Sequence, residues 1–337
     1  MKAKHITVWV ATLLVLLSSC ATSNVHKEPS WVANLYDKQY PKESYLCSIG
    51  SGQSREEAVN NAFSALAQSI NATIRSEITT ISTSVAQTEK GTTTFSDSDA
   101  MQSWGSVSSV IDQMLGSEVV NTWVDASSLV WVRLAVNKKN SAALYQQQLR
   151  ELESQIAHLK AQAAFKTPLE HLLLLHASLK LAKEHQQLAS IVRALGQKEE
   201  GNLLSSIQQE IQRLSSTVQL QVEVQVGETV ANKSSAERDL KQAWYTLLSS
   251  IGIVSVPEAS FAIKIFYDAS VVSSIDAPYV QVRYTLGVSL VEQEVVIASA
   301  LQQQRISALS QVDAYKRALA DAIDSSTALL EEVGLSR

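Results

Sequence analysis

Residues 218–226 read VQLQVEVQV: Val218, Leu220, Val222, Val224 and Val226 alternate without a fault with Gln219, Gln221, Glu223 and Gln225. Successive side chains of a strand point to opposite faces, so this segment has one face to bury and one that tolerates water. That pattern predicts an antiparallel strand, since the strands of parallel sheets are covered on both faces. The sequence then supplies the cover. Ser234 and Glu237 predict a capped helix carrying Leu240, Trp244, Leu247, Leu248 and Ile251 and stopping at Gly252. Further strands are predicted at 261–267, 280–290 and 295–301, and a closing helix at 311–333 behind Ser310 and Asp313. Residues 217–337 thus form an α+β domain of order β, α, β, β, β, α.

Upstream, the apolar period lengthens. Tyr145, Leu149, Leu152, Ile156, Leu159 and Ala163 alternate by four and three, the seam of a coiled coil. Thr167-Pro168 with Glu170 predicts the start of a second helix with Leu172, Leu175, Leu179 and Ala182. A third carries Leu204, Ile207, Ile211 and Leu214. Residues 140–216 are therefore a helical segment. Its seam closes either within the chain, as a helical hairpin or three-helix bundle, or between copies as a homo-oligomer.

Residues 31–139 predict another α+β domain. A strand at Tyr45 to Ile49 runs into Gly50-Ser51-Gly52, and Ser54 with Glu57 starts a helix whose buried stripe is Ala58, Ala62, Leu66, Ile70 and Ile74. The Ser- and Thr-rich stretch from Ser76 to Asp99 reads as a polar extended excursion or a mobile loop. Strands at 118–124 and 129–136 form a hairpin across Asp125-Ala126-Ser127-Ser128. The fold class is then α+β, two antiparallel-sheet-plus-helix domains separated by the helical segment.

Pro29, Trp31, the Tyr45 strand ending at Gly50 and Gly52, the Ala58 to Ala62 helix and the hairpin with Trp123, Asp125 and Trp131 occur in an order that resembles the Lpp-twenty family of bacterial envelope lipoproteins over residues 29–137. The family usually has a glycine turn and a tyrosine in the last hairpin, where this chain has Ser127-Ser128 and Trp131. Flagellar basal-body lipoproteins and surface antigens are among its members and no catalytic set is associated with it. The resemblance implies a non-catalytic structural role in the envelope, motility included. The C-terminal domain is similar in topology to those of curli-secretion and penicillin-binding-protein-activator lipoproteins.

The N-terminus specifies an address. Lys2 and Lys4 precede an apolar run from Ile6 to Leu17, the pattern of an export signal over residues 1–19. Leu17-Ser18-Ser19-Cys20 resembles the bacterial lipobox. The resemblance implies cleavage between Ser19 and Cys20, a diacylglycerol thioether on Cys20, and an acylated (palmitate-type) amino terminus. Two or three acyl chains make a stable anchor where one holds only marginally. Residues 20–30 are then a lipidated tether, and Ala21, in place of the aspartate that retains such proteins at the inner membrane of enteric-type bacteria, implies an outer-membrane, periplasm-facing location. Removing residues 1–19 takes the formal charge from −5 to −7, so attraction to anionic headgroups does not hold the protein.

Little in the chain carries chemistry. With 28 basic and 33 acidic residues and no polybasic run, nucleic acid is excluded as a partner class. Once Cys20 is lipidated, Cys47 is the only thiol, and it lies in an apolar strand. Gly50-x-Gly52 opens a dinucleotide fingerprint, but Arg55 occupies the third glycine position. His26, His158, His171, His176 and His185 lack metal-ligand spacing and read as surface residues. No catalytic residue, metal site or cofactor is expected. Trp31, Trp123, Trp131 and Trp244 read as core and Trp104 as exposed. The predicted function is a lipid-anchored envelope lipoprotein, not an enzyme, that acts as scaffold or assembly component through envelope proteins. The alternative is a regulator or binder of peptidoglycan synthesis machinery.

Overall fold

The structure, a computed structural model, describes residues 27–88, 114–199, 203–230, 232–272 and 279–335, with side chains up to residue 75 in the first stretch. Ser19, Cys20, His26 and Trp104 lie outside the described residues. The chain is α+β and divides into two compact units, one of residues 1–147 with 189–199 and one of residues 148–188 with 200–337.

In the first unit a short helix α1 (Ser30–Ala33) leads to β1 (Tyr45–Gly52), helix α2 (Arg55–Thr88) and the hairpin β2 (Ser117–Val124) and β3 (Val130–Asn137). β3 is the central strand of an antiparallel sheet ordered β1-β3-β2. The predicted capping box is present: Ser54 Oγ accepts from the Glu57 N–H at 3.1 Å, and Glu57 accepts from the Gln53 N–H at 2.7 Å. Ala58, Ala62, Leu66, Ile70 and Ile74 are all buried, and Ala58 and Ala62 pack on Val132 and Leu134 of β3. Helix α2 continues through Ser76 to Thr88, where a loop is expected from composition. Serine and threonine lower helix propensity by only about 0.5 kcal/mol each, and the first strong breaker in that stretch is Gly91. The rest of the expected loop, residues 89–99, lies outside the described residues.

Helices α3 (Lys138–Ala163), α4 (Pro168–Ala194) and α5 (Leu203–Ser215) fill the helical segment. Most of the seam is buried within the chain: Tyr145, Leu149, Leu152, Ile156 and Ala163 are each 7% exposed or less, while Leu159 is half-buried. Ile156 joins Leu169, Leu172, Leu175, Leu179 and Ala182 of α4 and Ile207 of α5 in the large core of the second unit. Lys160 pairs with Glu210 at 2.7 Å and His185 with Glu153 at 3.0 Å, tying α3 to its two neighbours.

The second unit's sheet is built from β4 (Gln219–Val226), β5 (Val254–Ser255), β6 (Phe261–Val271), β7 (Val280–Glu292) and β8 (Val295–Ala308), with α6 (Lys233–Ser250) and α7 (Gln311–Glu332) on one face. The strand order is β5-β4-β6-β7-β8. β4 runs parallel to both β5 and β6, which corrects the antiparallel expectation. Alternation reports that one face is wet and is silent on direction; α6 is a crossover that returns the chain to the same edge, and the face away from the helices stays open. Helix α6 also starts earlier than predicted, at Lys233 behind Asn232, so Ser234 and Glu237 lie inside its first turns and no side chain caps it.

Candidate functional site

The outer face of the three-stranded sheet is set by strand alternation. Val132 and Leu134 point into α2, so Trp131, Arg133 and Ala135 of β3 point away from it, beside Cys47 and Ile49 of β1 and Asn121 and Trp123 of β2. Arg133 is a charge in the middle of a sheet, 2% exposed. Its partners come from the segment before β1 and from the neighbouring strand β2. Nη1 donates to Asp37 Oδ2 at 2.8 Å and to the Leu35 carbonyl at 3.2 Å, and Nε donates to Asn121 Oδ1 at 2.9 Å. The guanidinium also lies 4.7 Å from the Tyr40 ring centroid and 5.9 Å from that of Trp31, a cation–π environment. The hydrogen bond from Arg133, then those from the Tyr40 and Gln39 amides, hold the Asp37 carboxyl below the usual carboxylate range.

This cluster fastens residues 31–40 to the central strand of the domain. Cys47 is buried on the same face and its thiol is pushed up by burial, so it is inert rather than nucleophilic. Next to the clamp, Asp125 organises the hairpin turn. Its Oδ1 accepts from Ser127 and Leu129 amides at 2.8 and 2.9 Å, and its Oδ2 from Trp131 Nε1 at 3.1 Å. Ser128 takes φ +65°, the left-handed conformation for which a glycine would be the unstrained choice. Trp31 and Trp244 are core residues, whereas Trp123 and Trp131 are half-buried, their rings 6.5 Å apart.

Gly50 and Gly52 do not cradle a phosphate. A Cβ on Gly50 would lie 2.2 Å from both the Ala58 carbonyl oxygen and the Ala62 nitrogen, so the residue lets α2 cross β1 at close range. β1 pairs antiparallel with β3, and among the described residues of the first unit's sheet no strands pair in parallel. Two histidines depart from the surface expectation: His176 is 4% and His185 6% exposed. Both face the interior of the helical layers, where His185 meets Glu153; burial, followed by the Lys183 charge, drives the His176 pKa down to about 4. His158 is exposed beside Gln162, and His171 lies 3.9 Å from Glu210. Among the described residues no three His, Cys, Asp or Glu side chains converge on a metal-sized site, and no helix is long and apolar enough to cross a membrane.

In the second unit the open sheet face carries a shallow groove of about 520 Å³ lined by Glu223, Lys264, Phe266, Gly287, Ser289 and Leu301. Beneath the opposite face, Tyr267 and Tyr284 stack in a tilted pair. Tyr284 donates to Asp321 at 2.5 Å, and burial pushes its hydroxyl up to about 12. Phenols held this far from ionising do not serve as acids or bases at neutral pH. Sequence reasoning missed the Arg133 clamp, since nothing local marks Asp37 as the partner of a residue 96 positions away.

Residues 29–137 match the family of LPP20 lipoproteins. No curated protein matches the chain. Among solved structures, the secreted protein HP1454 from Helicobacter pylori is 14% identical, with 85% of this chain and 98% of that one covered at a TM-score of 0.42. A minor lipoprotein from Acinetobacter baumannii is 14% identical over 34% of this chain and 90% of its own, at a TM-score of 0.26. Residues 29–137 are thus similar to the LPP20 lipoproteins, and that likeness gives no indication of catalysis.

Proposed function

We propose that the protein is an envelope lipoprotein anchored through Cys20 and acting as a non-catalytic scaffold or assembly component at the periplasmic face of the outer membrane. The observation that carries this reading is the lipoprotein-family match of residues 29–137 directly downstream of a lipobox-like Leu17-Ser18-Ser19-Cys20. Signal peptidase cleaves after Ser19, and the Cys20 sulfur carries the diacylglycerol. The span from Cys20 to Trp31 reaches at most about 35–40 Å when extended, so the first domain stays within that distance of the bilayer. Arg133 and its partners sit where the tether meets the sheet, which suits a body held to a membrane by its N-terminus. Confinement of this kind raises the effective concentration of partners on the same membrane.

The test is made in the native bacterium. The mature protein should carry diacylglycerol on Cys20 by intact-mass analysis and fractionate with outer membranes, while Cys20→Ser should leave the membrane fraction. In-cell crosslinking should return envelope assembly or motility proteins. An unmodified cysteine, or a Cys20→Ser chain that stays membrane-bound, refutes the anchor. Crosslinks confined to cell-wall synthases replace the scaffold with a regulator of peptidoglycan synthesis.

A further inference from the structure

Among the described residues of the second unit, the sheet ends in a strand with no further strand on its outer side. β8 is 14 residues long, lies at the edge of the sheet and, among the described residues, pairs with β7 alone. Such an edge presents a row of unpaired backbone donors and acceptors, which natural sheets blunt with proline, lysine or brevity. β8 contains no proline, no lysine and a single charge, Arg305.

Register tells what a strand added there would meet. Gln302 donates to Ser325 of α7, so Gln302 faces the helices, and Leu301, Gln303 and Arg305 face the open side. One open-side row runs Gln225, Phe266, Gly287, Leu301, and its outermost member is 63% exposed. Gly287 leaves a gap in that row: a Cβ on it would have Leu301 Cδ1 at 3.4 Å and Phe266 Cβ at 3.8 Å. A second row runs Ser270, Arg283, Arg305. Two arginines directly opposite one another repel. Both are exposed, and neither has an ion pair or hydrogen bond among the described residues. The acid of the intervening row, Asp268, is held by the Thr229 hydroxyl at 2.7 Å.

We infer that β8 is a docking edge for an extended acidic segment of a partner protein, which adds a strand to the sheet. The segment places a carboxylate beside Arg305 and Arg283 and, four residues along the same face, an aliphatic or aromatic side chain beside Leu301. Main-chain pairing supplies the affinity and the two side-chain rows supply the selection. A second copy of β8 does not fit, because β8 has no acid to set against the arginines in any register. The inference rests on the reading of the protein as a binding component and gives that component its contact surface.

The test uses the full mature chain with Cys20→Ser, free of membrane, so that its outcome is independent of the anchor. The probe is a synthetic peptide as long as β8, with threonine on one face and, on the other, leucine and glutamate four residues apart; its twin has lysine for glutamate. By fluorescence anisotropy at low salt the glutamate peptide should bind about tenfold more tightly than the lysine twin. Arg283→Ser with Arg305→Ser should abolish that preference, and bound peptide should protect β8 amides from hydrogen exchange. Both arginines are exposed, so circular dichroism of the double variant should match the parent. Equal affinities, a preference that survives in the double variant, protection outside β8, or a dimer whose β8 is protected without peptide each overturn the proposal.

Discussion

Replacing Arg133 by methionine tests whether the clamp holds residues 31–40 to the sheet. The arginine is 2% exposed and makes three hydrogen bonds, to Asp37, Asn121 and the Leu35 carbonyl. Hydrogen bonds to a charged group contribute about 1.5–3 kcal/mol each. Methionine recovers about 1.5–2 kcal/mol by filling the same space with apolar surface, and Asp37, with 42% of its side chain exposed, turns to water once released. The net loss is about 3 kcal/mol, at the lower end of what breaking a buried charge pair costs. Urea unfolding followed by tryptophan fluorescence measures it, and tryptic cleavage at Lys38 and Lys42 should quicken in the variant. The two probes must move together. The acid limb adds a signature: the folded Asp37 pKa lies below its unfolded value of about 3.9, so its contribution is present above that pH and is lost as pH falls through the folded value. Arg133→Met should flatten this limb. A midpoint within about 0.5 kcal/mol of the parent, with unchanged cleavage, would refute the assignment of Arg133 as the fastening point.

Gly50→Ala should destabilise the first unit by about 3 kcal/mol in thermal or urea melts, since a Cβ 2.2 Å from two backbone atoms of α2 forces helix and strand apart by about an ångström; Gly287→Ala, with 3.4 Å to a movable leucine methyl, should stay within about 0.5 kcal/mol of the parent. His176 is held neutral by burial with its folded pKa near 4, below its ordinary value, so its contribution is complete above about pH 6.5 and is lost as pH falls towards 4, by up to about 3 kcal/mol. His176→Gln should remove that part of the pH dependence between pH 6.5 and 4, and a variant with an unchanged profile would show that the histidine does not titrate there.

What could be read beforehand follows the range of the interactions involved. The caps at Ser54 with Glu57 and Ser310 with Asp313 are local, and the structure has both. So is the Asp125 turn, although Ser128 replaces the residue that its left-handed backbone favours. The apolar stripes of α2, α4 and α5 predict burial because a helix face repeats every few residues. Direction and destination are different matters. The alternation of 218–226 fixes the buried face of β4, while the parallel pairing depends on where α6 returns the chain. Likewise the spacing of His176 and His185 says nothing of which helix face meets α3.

The open edge of β8 shows the same limit at the scale of one residue. Gln293 and Glu294 both take positive φ and close the β7–β8 hairpin so that Glu292 faces Val295 and Val291 faces Val296. Continued without interruption, that register would set Arg283 against Gln304 and turn Arg305 to the helix-covered face beside Val282. Between Leu290 and Val291 the pairing shifts, leaving Ile297 as an extra residue on β8. That single bulge moves Arg305 opposite Arg283 and Leu301 opposite Gly287, re-aiming both outward. No alternation of apolar residues announces it, because β8 is polar through Gln302, Gln303 and Gln304, where a slip changes nothing that a hydrophobic pattern records. The feature that gives the edge its selectivity is therefore a register, and it became legible only when the strand was seen paired.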